Sequence, residues 1–163
     1  MRTGTSEMSL NHTSGSESLA ELLGERAVNL RQIILHAHRG MNQQIVQKFS
    51  ERGYTEIRPS HLSILANMNL GETGNQVLVA RAQMTGNAVR ELLVDLVRLG
   101  YVRLIGSAES PESNVDFTDA GWELMLISFN IQRELEADFR TRLKAGDVEE
   151  LRRILGAMFQ EAK

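Results

Sequence analysis

The most constraining feature of the chain is a pair of helical patterns followed by two short extended ones, within residues 74–118. Thr85 can begin the second helix, because its hydroxyl accepts from the backbone N–H groups of a first turn. Gly100 can end it, since glycine adopts the left-handed conformation there without steric cost. Apolar residues in this helix recur at helical spacing and predict a buried stripe; they are Ala88, Val89, Leu92, Leu93 and Leu96.

The segment after Gly100 predicts a two-stranded hairpin. Tyr101, Val102, Leu104 and Ile105 form an extended run, and Val115 and Phe117 alternate with polar neighbours on its return. Two helices at a tight turn followed by such a β wing form a unit that reads double-stranded DNA, with the second helix in the major groove. The side of that helix opposite the buried stripe carries Gly86, Asn87, Arg90, Glu91, Val94 and Asp95.

We predict DNA contacts from the N-terminal end of this polar side. Asn87 can pair with adenine and Arg90 with guanine through base edges, and Gly86 permits close approach of the backbone. Thr85 and the N–H groups of the first turn can hold a phosphate, and Arg103 on the first strand can contact the DNA backbone. The alternative is a solvated face, with Arg103 in a surface salt bridge worth under about 1 kcal/mol.

The N-terminal part of the chain predicts a tail and two further helices. Residues 1–17 are rich in Ser, Thr and Gly and predict a disordered tail. A long amphipathic helix runs from Leu19 to a point before Gly53. Pro59 suits the first turn of the next helix, and the segment 70–75 predicts a turn.

The C-terminal part predicts a long helix over about 118–144 and a last helix from Asp147. We expect Asp147 and Glu150 to form a capping box. The last helix has an apolar stripe that nothing in one small subunit covers; its members are Val148, Leu151, Ile154, Leu155, Met158 and Phe159. A second copy would cover it, and twofold dimers are the commonest oligomers. We therefore predict a homodimer.

These patterns predict a mainly α fold with a small β wing. A winged helix-turn-helix DNA-binding domain spans 54–118, and terminal helices in 18–53 and 119–163 form a dimerisation region. Composition excludes several other classes. The chain has no cysteine, which excludes thiolate zinc sites and thiol sensing within it. It shows no membrane-length apolar run or signal peptide, so we expect a cytoplasmic protein.

No catalytic residue, cofactor or metal is predicted. The chain lacks a nucleophile elbow, a phosphate-cradling glycine loop and a paired acid motif, so an enzyme is not expected. His36 and His38 lie two residues apart on a helix and point in different directions, so they cannot chelate one metal together. A histidine with an ordinary hydrogen-bond partner is the preferred interpretation, also for His61.

The order of these segments resembles the MarR family of bacterial transcriptional regulators over about residues 19–160. The matching segments are IRPSHLSILANM, VLVARAQMTGNAVRELLVDLVRLGYV and FTDAGWELM. The resemblance implies a dimeric repressor on a palindromic operator, with recognition helices about 34 Å apart. It also implies a small aromatic or phenolic ligand between the dimer helices and the winged domain. The residues it places near such a ligand are His36, Arg39, Gln43, His61 and Trp122; the alternative for each is packing.

The wing departs from the family pattern. Members commonly place an Asp-Arg pair near the wing tip, and the arginine reaches into the minor groove. Here the corresponding stretch is Glu112-Ser113-Asn114, so minor-groove reading by the wing is not expected. This acidic wing supports an alternative function, a winged-helix module that binds a ligand or a protein and has weak or lost DNA binding.

Overall fold

The structure is a computed structural model that describes residues 29–106 and 113–159. Its elements are α1 (Leu30–Glu51), α2 (Pro59–Leu65), β1 (Thr73–Gly74), α3 (Asn75–Ala82), α4 (Gly86–Arg98), β2 (Val102–Ile105), β3 (Asn114–Phe117), α5 (Asp119–Arg142) and α6 (Asp147–Phe159). The chain divides into two units, residues 1–42 and 43–163. The tail predicted at 1–17 and the first part of the first predicted helix lie outside the described residues.

The helix predicted from Thr85 to Gly100 is confirmed as α4. Thr85 Oγ1 accepts from the backbone N–H of Ala88 at 3.3 Å, and Gly100 has a φ of +82°. The predicted stripe faces inward, with Val89, Leu93 and Leu96 buried and Ala88 and Leu92 half-buried. Because α4 packs against α2, α3 and β2, its position is set by the core of the second unit.

The wing is larger than predicted. The hairpin of β2 and β3 is confirmed, but β1 adds a third antiparallel strand in the order β1-β3-β2. Thr73 pairs with Val115 in this sheet, and its buried hydroxyl accepts from the N–H of Asn69 at 2.8 Å. The prediction of a turn throughout 70–75 is therefore wrong at its C-terminal end. The strand could not be predicted, because two residues are too few to show an alternating pattern.

The long helix after the wing is confirmed as α5, which begins after Thr118. The last helix is also present, but its predicted capping box is wrong. Asp147 is the first residue of α6, and its Oδ2 accepts from the N–H of Lys144, upstream of the helix, at 3.0 Å. Glu150 instead accepts from Arg153 at 2.7 Å. Gly146, in the turn between α5 and α6, adopts a left-handed φ of +91° just before α6 begins.

No helix within residues 29–106 and 113–159 is long and apolar enough to cross a membrane. In the same parts of the chain, no three His, Asp or Glu side chains come together as a metal site would need.

Candidate nucleic-acid interface

The exposed side of α4 is the centre of the candidate interface. We call it the α4 open face and define it by Gly86, Asn87, Arg90, Glu91, Val94 and Arg98, all exposed. Arg90 has no hydrogen-bond or ion-pair partner within the described parts of the chain. An arginine without a protein partner, beside an exposed asparagine near a helix N-terminus, is available for base edges or phosphates.

Asp95 does not belong to this open face, contrary to the prediction. Its side chain is only 26% exposed and binds two guanidinium groups. Arg58, before α2, binds Asp95 Oδ2, and Arg98 binds Oδ1 at 3.0 Å. The sequence could not predict the contact of Arg58 with Asp95, because the two residues are 37 positions apart and helical spacing predicts only neighbours on the same helix. We call Arg58, His61, Asp95 and Arg98 the Asp95 cluster.

His61 is the buried member of the Asp95 cluster, with 1% of its surface exposed. Its Nδ1 accepts from the backbone N–H of Arg58 at 3.3 Å, and its Nε2 lies 3.0 Å from the Arg58 guanidinium. Nε2 faces Asp95 Oδ2 at 3.5 Å. Burial lowers the pKa of His61, and the positive charges of Arg58 and Arg98 lower it further. The cluster therefore joins the start of α2 to the C-terminal half of α4 and helps to fix the orientation of the open face.

This lowered pKa predicts a pH dependence of stability. The ordinary pKa of a histidine is 6.5. Below about that pH, His61 is protonated in the unfolded chain but stays neutral in the folded chain until the pH reaches its lower folded pKa. Stability should be fully present above pH 6.5 and should fall as the pH drops towards the folded pKa. The free energy of unfolding, obtained from urea unfolding between pH 5 and 7.5, measures this dependence. In His61→Gln this part of the pH dependence should disappear, and an unchanged pH profile in that variant would contradict the assignment.

The described part of the wing offers little positive charge. Arg103, the predicted backbone contact, binds Asp116 Oδ2 at 2.6 Å on the neighbouring strand. At the root of the wing, the N–H of Asn75 donates to the carbonyl of Ser113 at 3.0 Å, and the Asn114 amide donates to Glu72 at 2.9 Å. These contacts attach β3 to the start of α3 and to the residue before β1. The tip, residues 107–112, which includes Glu112, lies outside the described residues.

The predicted ligand residues fall in different surroundings. His36 and Arg39 are exposed on α1 in the first unit, and Gln43 is exposed at the start of the second. His61 lies inside the Asp95 cluster. Trp122 is half-buried against Phe117, with ring centroids 4.8 Å apart. These geometries do not test whether any of the five binds a ligand, so that assignment stays a prediction.

A cavity of about 510 Å³ lies elsewhere in the second unit, and none of the five predicted ligand residues lines it. Its lining is Arg52, Ile127, Asn130, Arg133, Glu134 and Ala137. Glu134 binds Arg52 at 2.5 Å and Lys48 at 3.1 Å, and both cations lower the pKa of its carboxyl. Local spacing could not predict this group, because Lys48 and Arg52 lie at the C-terminal end of α1 and just after it, far in the chain from Glu134 on α5.

Comparison with solved structures identifies the fold. A MarR transcriptional regulator from Methanosarcina mazei Go1 is 19% identical, with a TM-score of 0.67 over 80% of this chain and 92% of that one. The oxidized form of MarR from E. coli is 17% identical, with a TM-score of 0.67 over 80% and 93%. BldR, a transcriptional regulator from Sulfolobus solfataricus, is 20% identical, with a TM-score of 0.63 over 82% and 94%.

Searches against sequence models of protein families and against curated proteins returned no match. The structural similarity nevertheless extends over nearly the whole length of each solved chain. The resemblance predicted from the sequence is confirmed at the level of the fold. This chain therefore has the mainly α, winged helix-turn-helix fold of the MarR-type transcriptional regulators.

Proposed function

We propose that the protein is a homodimeric DNA-binding transcriptional regulator, a repressor that acts on a palindromic operator in the cytoplasm. The observation that carries this proposal is the α4 open face, where Arg90 and Asn87 are exposed next to the capped start of the helix. The Asp95 cluster holds this helix from the opposite end. The proteins that share the fold support the proposal, because those from Methanosarcina mazei and Sulfolobus solfataricus are transcriptional regulators.

Exposed apolar side chains on α5 and α6 support the homodimer. On α6, Leu151, Met158 and Phe159 are 53%, 48% and 67% exposed, and on α5, Leu126 and Phe129 are 64% and 51% exposed. Contiguous apolar surfaces of this kind are rare on monomers and usually mark an interface. A second copy burying the same surface would make a twofold dimer and would supply the second recognition helix that a palindrome needs.

A ligand that releases the DNA is part of the proposal. The cavity beside Glu134 has a volume in the range of small-molecule sites and contains both apolar and charged side chains. Arg133 suits an anionic group such as a phenolate, whereas Arg52 is already paired with Glu134. The five predicted ligand residues and this cavity are separate candidate sites, and variants in each would distinguish them.

Two observations favour a second candidate function, a winged-helix module that binds a protein or a ligand without DNA. Asp116 neutralises Arg103 on the wing, and Glu91 places a carboxylate on the α4 open face. A carboxylate there repels phosphates unless it accepts from a cytosine amine. Both features weaken the electrostatic attraction to DNA.

A binding experiment separates the two functions. The full-length protein is used to select duplexes from a random-sequence library, and its affinity is then compared with that of Arg90→Ala. We expect the variant to lose about 1–3 kcal/mol of binding free energy. Arg153→Ala is the matched control, because Arg153 is exposed and, among the described residues, pairs with Glu150 on its own helix alone; it should bind as the wild type does. Equal affinities for all three proteins would count against the α4 open face as the DNA contact.

A further inference from the structure

We propose that Val94 reads a thymine by packing against its C5-methyl group in the major groove. This inference rests on the proposed function, since it requires α4 to lie in the groove. It adds a sequence-determining residue to the polar contacts of Asn87 and Arg90.

Val94 lies on the midline of the α4 open face. Arg90 precedes it by four residues and Arg98 follows it by four, so each lies one helical turn away on the same side. Asn87 lies seven residues before it, two turns away. Val94 is therefore aligned along the helix axis with the residues that we expect to contact DNA, between two exposed arginines.

Packing within residues 29–106 and 113–159 does not account for a valine at this position. Val94 is 53% exposed, whereas Val89, Leu93 and Leu96 on the same helix are at most 2% exposed. Valine is also a weaker helix former than the polar residues usual on a solvated face, because its branched Cβ is restricted in a helix. Neither core packing nor helix propensity explains the residue, and a contact outside the chain would.

The flanking charges indicate which partner covers this position. Arg90 has no partner in the described parts of the chain, and Arg98 remains largely exposed while it binds Asp95. Asp95 partly neutralises Arg98, and Glu91, three residues before Val94, is the acidic member of the face. A valine one turn from the guanidinium of Arg90, which is unpaired among the described residues, nevertheless fits a polyanion that carries an apolar group better than it fits an apolar protein surface. The thymine methyl is the apolar group that base edges present in the major groove. Four residues of helix rise about 6 Å, so the thymine should lie within about two base pairs of the base that Arg90 contacts.

The test removes the C5-methyl group of the thymine and the two γ-methyl groups of Val94. Duplexes selected by the wild-type protein are resynthesised with deoxyuridine in place of each thymine in turn, and affinities are measured for the wild type and Val94→Ala. At one thymine in each half-site, deoxyuridine should weaken wild-type binding about three- to tenfold. Val94→Ala should bind the thymine duplex with a similar loss, and deoxyuridine at that position should then have no further effect.

Val97→Ala is the matched control. Val97 is the other exposed valine on α4, 37% exposed, and lies to one side of the midline. It should keep the full response to deoxyuridine. A response that persists unchanged in Val94→Ala, or wild-type binding that no single deoxyuridine affects, would overturn the inference while leaving DNA binding intact. A changed oligomeric state in Val94→Ala would overturn it in favour of a protein contact. Failure to select any duplex would instead refute the proposed function.

Discussion

Deleting residues 147–163, and with them α6, is expected to give an insoluble or unfolded protein. The helix packs on α5 and presents an apolar stripe that the described residues leave uncovered, with Leu151 and Phe159 more than half exposed. Removing it would uncover apolar surface on α5 and eliminate the surface proposed for the second copy. Light scattering and circular dichroism of the purified protein measure the outcome.

Two point variants keep this prediction testable if the deletion yields no protein. Ile154→Asp places a charge on the stripe and should shift the dimer towards monomer. Arg153→Asp introduces the same side chain on the other side of α6 and should leave the dimer unchanged. A well-folded monomer after the deletion, or a normal dimer in Ile154→Asp, would show that α6 is not the interface.

Gly121→Ala is expected to have the largest effect of any single small substitution that we propose. A Cβ at this position would lie 1.9 Å from the carbonyl oxygen of Tyr101. That oxygen accepts from the N–H of Thr118 at 3.1 Å, and the Thr118 hydroxyl accepts from the N–H of Gly121 at 3.0 Å. The start of α5 must therefore move away from the start of the wing, and both hydrogen bonds are strained.

The free energy of unfolding of Gly121→Ala should fall by about 3 kcal/mol, the upper part of the usual range for overpacking. Urea unfolding at one protein concentration measures it. Gly86→Ala is the control, because a Cβ there has nothing within 4 Å and alanine favours a helix by up to about 1 kcal/mol. Equal stabilities of the two variants would contradict the close contact between α5 and the wing.

Local patterns in the sequence were sufficient to predict the main helices. The buried stripe of α4, its Thr85 cap and its end at Gly100 all depend on residues a few positions apart, where helical geometry determines which side chains share a face. The hairpin followed from the alternation around Val115 and Phe117. The short strand β1 was missed, since two residues carry no periodic signal.

Contacts between distant residues could not be predicted in this way. Helical spacing placed Asp95 among the polar residues, but only the packing of α2 on α4 brings Arg58 to it. The contact of Gly121 with Tyr101 likewise depends on how the wing meets α5, and a glycine in a helical pattern does not reveal it. The candidate interface was thus predicted in outline, while the groups that hold it in place appeared only in the folded chain.

The dependence of DNA binding on salt tests the central claim most directly. Affinity of the wild-type protein for a selected duplex is measured between 50 and 200 mM salt. Bound Lys and Arg side chains release counterions from the phosphates, and about four such contacts per dimer would weaken binding about 100-fold over this range. We expect a loss of that size. An affinity that does not change with salt, or no binding to any duplex at 50 mM, would contradict the account.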